Sequence, residues 1–180
     1  KLDTIVQHLP SLEHIIISNP EGSNTNKSKD HIDISDLLKN DASELHFERF
    51  PFDHPAFILY TSGTTGLPKS IVHGAGGTLL QHSKELLLHC NANNTDIAFY
   101  YSTCGWMMWN WLISFLSVGS TIILYDGSPF FPDKKAMWNL IDELDITIFG
   151  TSAKFIDACN TNNLIPSDFA KLDSLVQILS

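Results

Sequence analysis

Residues 60–70 read YTSGTTGLPKS, a stretch in which hydroxyls, glycines and one lysine crowd together. Thr61, Ser62, Thr64 and Thr65 carry hydroxyls, and Gly63, Gly66 and Lys69 complete the set. Such a set can hold an anion: glycines let backbone amides approach closely, hydroxyls add uncharged donors, and the lysine adds a mobile positive charge. It is not the common phosphate loop G-x-x-x-x-G-K-[ST]. Two residues separate Gly63 from Gly66 and Gly66 from Lys69, and Pro68 stands directly before the lysine. Pro68 also removes one amide donor and stiffens the exit of the loop. The same residues would make an ordinary polar turn between a strand and a helix, for which Gly, Ser, Thr and Pro are the default choices. Composition leaves both readings open.

Other chemistry is thinner. Cys90, Cys104 and Cys159 are far apart and form no C-x-x-C, so neither a zinc ribbon nor a disulfide framework is expected, and a reducing compartment fits. The eight histidines show no metal-ligand spacing, and no metal site is expected within the chain. Eleven basic against twenty acidic residues give a net charge of -9, with no basic cluster to neutralise a nucleic-acid backbone. Nucleic acid is not an expected partner. The sequons at Asn26 and Asn93 carry no weight without a signal peptide.

The elements that must position the loop follow from apolar patterning. Residues 13–18 (EHIIIS) suggest a short strand, and residues 19–43 a polar surface excursion that is mobile. Strands are then expected at 56–60, 97–101, 121–125, 146–149 and 175–179. Helices are expected at 78–90, 109–117, 133–144 with Asp133 as cap, and 152–160 opened by Ser152. Alternating strands and helices imply an α/β fold, a mostly parallel sheet with helices on both faces. Ligands in such sheets sit at the carboxyl ends of strands, and the loop at 61–70 follows one. Residues 106–124 are the one membrane candidate, but Asn110, Ser114, Ser117 and the Gly119-Ser120 break split them into a helix and a strand. With 43% hydrophobic residues and a mean hydropathy of +0.01, the 180 residues can bury a sizeable core. The sequence opens on Lys1 and closes just after LVQIL, so the expectation is a segment of a longer protein.

TSGTTGLPK, following a strand, resembles the signature of the adenylate-forming superfamily of acyl-CoA synthetases, luciferases and peptide-synthetase adenylation domains. IVHGAGG at 71–77 and the Gly105-Trp106 pair are similar to short-chain acyl-CoA synthetases. The likeness in residues 50–77, 105–114 and 149–156 is greatest to the ligases that act on acetoacetate. Acetate-activating enzymes share the Gly-Trp pair but carry smaller residues where this chain has Met107 and Met108, and a His where it has Asn110.

The resemblance implies that residues 47–180 form an incomplete AMP-binding core of a large domain, and 1–46 the end of an upstream α/β unit with a surface excursion. It further implies that ATP activates acetoacetate to an acyl-adenylate, that CoA then takes the acyl group, and that Mg2+ accompanies the nucleotide. Thr61, Ser62, Gly63, Thr64, Thr65, Gly66 and Lys69 would grip the ATP phosphates, Lys69 positioning them. His73 would lie near the acyl and α-phosphate groups and donate to developing charge. Trp106, Met107, Met108 and Asn110 would line or support the acyl pocket, although Trp and Met at helical spacing also suit a plain core. Gly76 and Gly77 would let a helix start approach the substrate or serve as plain turn glycines. The adenine and ribose contacts, a magnesium-bridging Glu and a small carboxyl-terminal domain with a catalytic lysine lie beyond Ser180 in such enzymes. The setting implied is cytosolic ketone-body and lipid metabolism. Two alternatives stand beside it: an acetyl- or propionyl-activating ligase, and a non-catalytic domain that keeps the fold.

Overall fold

Apolar Ile15–Ile17 forms the first strand (β1), after a short helix at Leu2–Val6 (α1). In this computed structural model, which describes residues 2–18, 31–39, 44–61 and 66–180, β1 pairs in parallel with His31–Asp33 (β2), Ile16 opposite Ile32. The polar excursion expected over 19–43 is therefore wrong in part. His31–Asp33 is a strand because Ile32 alternates with polar neighbours, and Ile34–Leu37 (α2) is a helical turn that Asp33 caps by accepting from the Ser35 amide at 2.9 Å. Residues 19–30 and 40–43, on which the rest of that expectation falls, lie outside the described residues. The chain divides into two units, Lys1–Arg49 and Phe50–Ser180.

The second unit opens with a hairpin. Pro55–Tyr60 (β3) runs antiparallel to Ser70–Gly74 (β4), with Phe57 opposite His73, Leu59 opposite Ile71, and a bulge between Pro55 and Phe57. This corrects the expectation of a turn between strand and helix: the loop at 61–69 joins two antiparallel strands and does not lie on the parallel sheet. Ala75–Lys84 (α3) follows, continued by a wider π turn at Glu85–His89 whose Glu85 carbonyl accepts from the Cys90 amide at 2.9 Å.

From Ile97 onward the expected alternation appears. Ile97–Tyr100 (β5) leads to Met107–Ile113 (α4) and a 3-10 turn at Ser114–Val118. Gly119 ends that turn at φ +82°, a left-handed conformation that glycine adopts freely, and delivers the chain to Thr121–Ile122 (β6). Ala136–Glu143 (α5) starts later than expected, because Asp133 accepts from the Lys135 amide at 2.6 Å and so caps a lead-in turn. Ile148–Gly150 (β7) precedes Ala153–Thr161 (α6), which Ser152 caps by accepting from the Phe155 amide at 3.2 Å, and Gln177–Leu179 (β8) closes the chain.

Four strands form one sheet in the order β6-β5-β7-β8, every pair parallel. Strand residues point alternately to its two faces. Phe99 and Phe149 pack on one face with Met137, Trp138 and Ile141 of α5 and Phe155 and Cys159 of α6. Ala98 and Ile148 pack on the other with Leu112 of α4, Phe115 and Leu86. Both faces are covered by helices, as the α/β reading expects. Gly150 allows the closest approach: a Cβ there would lie 1.9 Å from the Tyr100 ring. Among the described residues no helix is long and apolar enough to cross a membrane.

Candidate functional site

Two features carry the expected residues, the neck of the hairpin loop and a cavity lined along the hairpin's strands. At the neck, the Thr61 amide donates to the Lys69 carbonyl at 2.9 Å, and the Lys69 amide donates to Thr61 Oγ1 at 3.4 Å. Thr61 therefore ties the loop closed while its hydroxyl proton stays available. Lys69 is exposed, and its ammonium makes no ion pair among the described residues. A Cβ on Gly66 would meet nothing within 4 Å, so packing does not demand glycine there. Ser62, Gly63, Thr64 and Thr65 lie outside the described residues.

The cavity has a volume of about 770 Å³. His73 reaches it from β4, Met107, Met108 and Asn110 from the first turn of α4, and Gly77 from α3. The structure thus gathers four of the expected acyl and catalytic side chains on one space. Trp106 is not among its lining residues: it occupies the N-cap position of α4 and is 64% exposed. Gly76 has a packing role, since a Cβ there would lie 2.2 Å from the Phe52 ring and its amide donates to the Phe52 carbonyl at 2.8 Å.

Several lining residues were not expected. Tyr100 enters from the carboxyl end of β5, its ring edge-on to Trp111 at 5.9 Å and its hydroxyl donating to the Thr151 carbonyl at 3.1 Å. Burial pushes the Tyr100 phenol up and the Cys90 thiol up as well. Gln81, His82, Glu85 and His89 line the cavity from α3 and its π turn. Gln81, Glu85 and His89 recur every four residues and His82 stands three before Glu85, the spacing of one helix face, which is the signal that could have found them. Glu85 is not a bare charge. Lys84 pairs with it at 3.0 Å and Gln81 Nε2 donates to it at 2.9 Å, and the Lys84 hydrogen bond holds its carboxyl below the ordinary range.

His82 is the best-anchored of these side chains. Ser114 Oγ donates to the Asn110 carbonyl at 2.9 Å and lies 2.6 Å from His82 Nδ1. One hydroxyl has one proton, so the ring nitrogen must carry the other: Nδ1–H donates to Ser114, and Nε2 is the unprotonated acceptor. Burial lowers the His82 pKa, opposed by the nearby Glu85 charge, which favours this neutral form.

Chemically, the cavity is an apolar space lined by Phe57, Leu59, Val72 and the two methionines, with polar groups at His73, Gln81, His82, Glu85, His89 and Asn110. It suits a small organic molecule better than a metal: among the described residues no group of three or more His, Cys, Asp or Glu could hold an ion.

The AMP-binding enzyme family matches residues 2–180. The chain is 46% identical to the acetoacetyl-CoA synthetase of Gallus gallus, over 100% of this chain and 28% of that protein. It is 54% identical to the acetoacetyl-coenzyme A synthetase of Rhizobium meliloti over 74% of this chain and 21% of that one. The malonamoyl-CoA synthetase of Penicillium aethiopicum is 38% identical over 92% of this chain and 26% of its own length. The solved structure of the acetoacetyl-CoA synthetase from Streptomyces lividans superposes with a TM-score of 0.86 at 41% identity, covering 97% of this chain and 27% of that one. The chain thus spans less than a third of the length of these relatives.

Proposed function

The chain belongs to the AMP-binding enzyme family, and from that premise we propose that the whole protein is an acid–thiol ligase that makes acetoacetyl-CoA from acetoacetate, ATP and CoA. In the first step a carboxylate oxygen of acetoacetate attacks the α-phosphorus of ATP, and the bond to the bridging oxygen breaks, giving acetoacetyl-AMP and pyrophosphate. In the second, the CoA sulfur attacks the acyl carbonyl, loses its proton, and AMP leaves. No covalent enzyme intermediate is needed, so the protein's work is positioning and stabilisation of charge.

The observation that carries this reading is the convergence of His73, Met107, Met108 and Asn110 on one cavity beside the hairpin whose loop bears Lys69. In this assignment Thr61, Ser62, Gly63, Thr64, Thr65, Gly66 and Lys69 grip the β- and γ-phosphates, and Lys69 follows them until pyrophosphate leaves. His73 donates to the charge growing at the reacting carboxyl and α-phosphate. Met107, Met108 and Asn110 bound the acyl group, and Trp106 supports them from the start of α4. The described residues offer no ligand cluster for Mg2+; the cation would arrive with the nucleotide. Residues 47–180 serve as the AMP-binding core and residues 1–46 as the end of an upstream α/β unit. The relatives' names support the acid chosen, because acetoacetyl and malonamoyl groups each carry a second carbonyl beyond the activated one. A cytosolic setting in ketone-body and lipid metabolism, without nucleic-acid partners, fits this chemistry.

The test is pyrophosphate release by the whole protein supplied with ATP, Mg2+ and one acid at a time. Acetoacetate should be activated in preference to acetate and propionate. Equal rates would leave the ligase chemistry and remove the acid assignment; no release with any short acid would leave the non-catalytic alternative.

A further inference from the structure

We propose that the cavity also accepts an acid with a primary carboxamide beyond its carboxylate, the amide held between His82 and Asn110. The inference rests on the function proposed above and widens its substrate class.

One serine sets the hydrogen-bond character of this corner. Ser114 Oγ spends its proton on the Asn110 carbonyl at 2.9 Å, so at 2.6 Å it can only accept from His82 Nδ1–H. The other ring nitrogen, Nε2, is then an acceptor, and it has no partner among the described residues. The Asn110 side chain likewise makes no hydrogen bond among them, and its NH2 group brings donors. Both residues line the cavity. The Ser114 hydroxyl touches the His82 ring and the Asn110 backbone at once, so acceptor and donor share one neighbourhood.

An acceptor beside a donor is the complement of a primary carboxamide. The amide carbonyl accepts from Asn110, and an amide N–H donates to His82 Nε2. A ketone meets only half of the pair: its oxygen accepts from Asn110, but the methyl group next to it gives Nε2 nothing. Phe57, Leu59, Val72, Met107 and Met108 offer an amide N–H no acceptor, and Glu85 is already engaged by Lys84 and Gln81. His82 therefore decides whether that N–H is paired or left bare. The matching acid is the monoamide of malonic acid, which carries NH2 where acetoacetate carries CH3 and has nearly the same shape. Its activation balances in the same way: a carboxylate oxygen attacks the α-phosphorus of ATP, pyrophosphate leaves, and the amide is untouched.

The experiment compares the monoamide with acetoacetate by kcat/KM for pyrophosphate release in the whole protein, supplied with ATP and Mg2+. The parent should activate the monoamide within about tenfold of acetoacetate. His82→Leu keeps bulk without the acceptor, and there the ratio of monoamide to acetoacetate should fall about tenfold or more, through a higher KM for the monoamide with KM for ATP unchanged. Asn110→Leu should impair both acids together, since both present the same carbonyl. A parent that activates acetoacetate and not the monoamide would overturn the proposal, as would a ratio within about twofold of the parent's in His82→Leu or a loss confined to one acid in Asn110→Leu. Should His82→Leu fail to fold, Ser114→Ala, which frees the ring's tautomer, takes its place, and an unchanged ratio there overturns the proposal as well. A parent active on neither acid refutes the proposed function instead, so the two failures are distinct.

Discussion

In the parallel sheet, β5 and β7 bury both faces: all three residues of β7 are buried, and Phe149 is wholly enclosed by Phe99, Trp138 and Phe155. In the hairpin not one residue of β3 or β4 is buried. Yet the hairpin carries Thr61, Lys69 and His73, while the sheet contributes to the cavity only through strand ends such as Tyr100 and Leu179. Burial and the residues we assign to the chemistry are thus housed in different sheets of one unit. The buried sheet supplies apolar free energy at about 25 cal/mol per Å² removed from water; the hairpin holds polar groups where a ligand can reach them.

Substitutions should split along this line. The largest effect belongs to the buried sheet: Phe149→Ala should cost about 3–5 kcal/mol of stability, read from denaturant unfolding of the whole protein, because it empties the space among Phe99, Trp138 and Phe155. Specific activity of the folded fraction should change far less. Lys69→Ala should do the reverse, slowing adenylation by about a hundredfold with no more than a minor change in melting temperature, since its exposed ammonium packs against nothing in the core. A collapse in melting temperature with normal activity per folded molecule would make Lys69 structural and erase the contrast.

The smallest effect lies where the two regions meet, at His82. Burial lowers its pKa in the folded state, so as pH falls the unfolded chain takes up the proton first. Its contribution is therefore intact above the ordinary imidazole range and declines as pH drops through that range toward the lower folded value. Glu85 opposes the shift, and His73, His89 and Cys90 share the same cavity. Melting temperature followed from pH 8 down to 5.5 should fall more steeply in the parent than in His82→Leu; identical slopes would mean that the ring is not protected from its proton by the fold.

What was legible in the sequence follows the same division. Buried strands and capped helices announce themselves: Ile148–Gly150 and Gln177–Leu179 are apolar runs ended by turn residues, and Ser152 is a cap readable from one residue. The strand Ser70–Gly74 was hidden because a strand with no buried residue has no reason to alternate, and its Gly-Ala-Gly-Gly continuation looks like a loop. TSGTTGLPK announced a family likeness, but not that an antiparallel partner closes the loop. Met107, Met108 and Asn110 were legible through the family likeness, whereas His82 was not, because its meaning depends on Ser114, which is 32 positions away in sequence. The π turn at Glu85–His89 leaves no pattern in ELLLH, a string that suits a regular helix equally well.

The paired neck of the hairpin loop has a kinetic side. Thr61 and Lys69 touch through two hydrogen bonds, so the fold itself joins the ends of the loop to which we assign the phosphates. The entropic penalty of bringing loop ends together is thereby met during folding and not during binding. If the loop grips phosphate as proposed, each binding event starts from a neck that is already joined, and the ends need not be brought together anew.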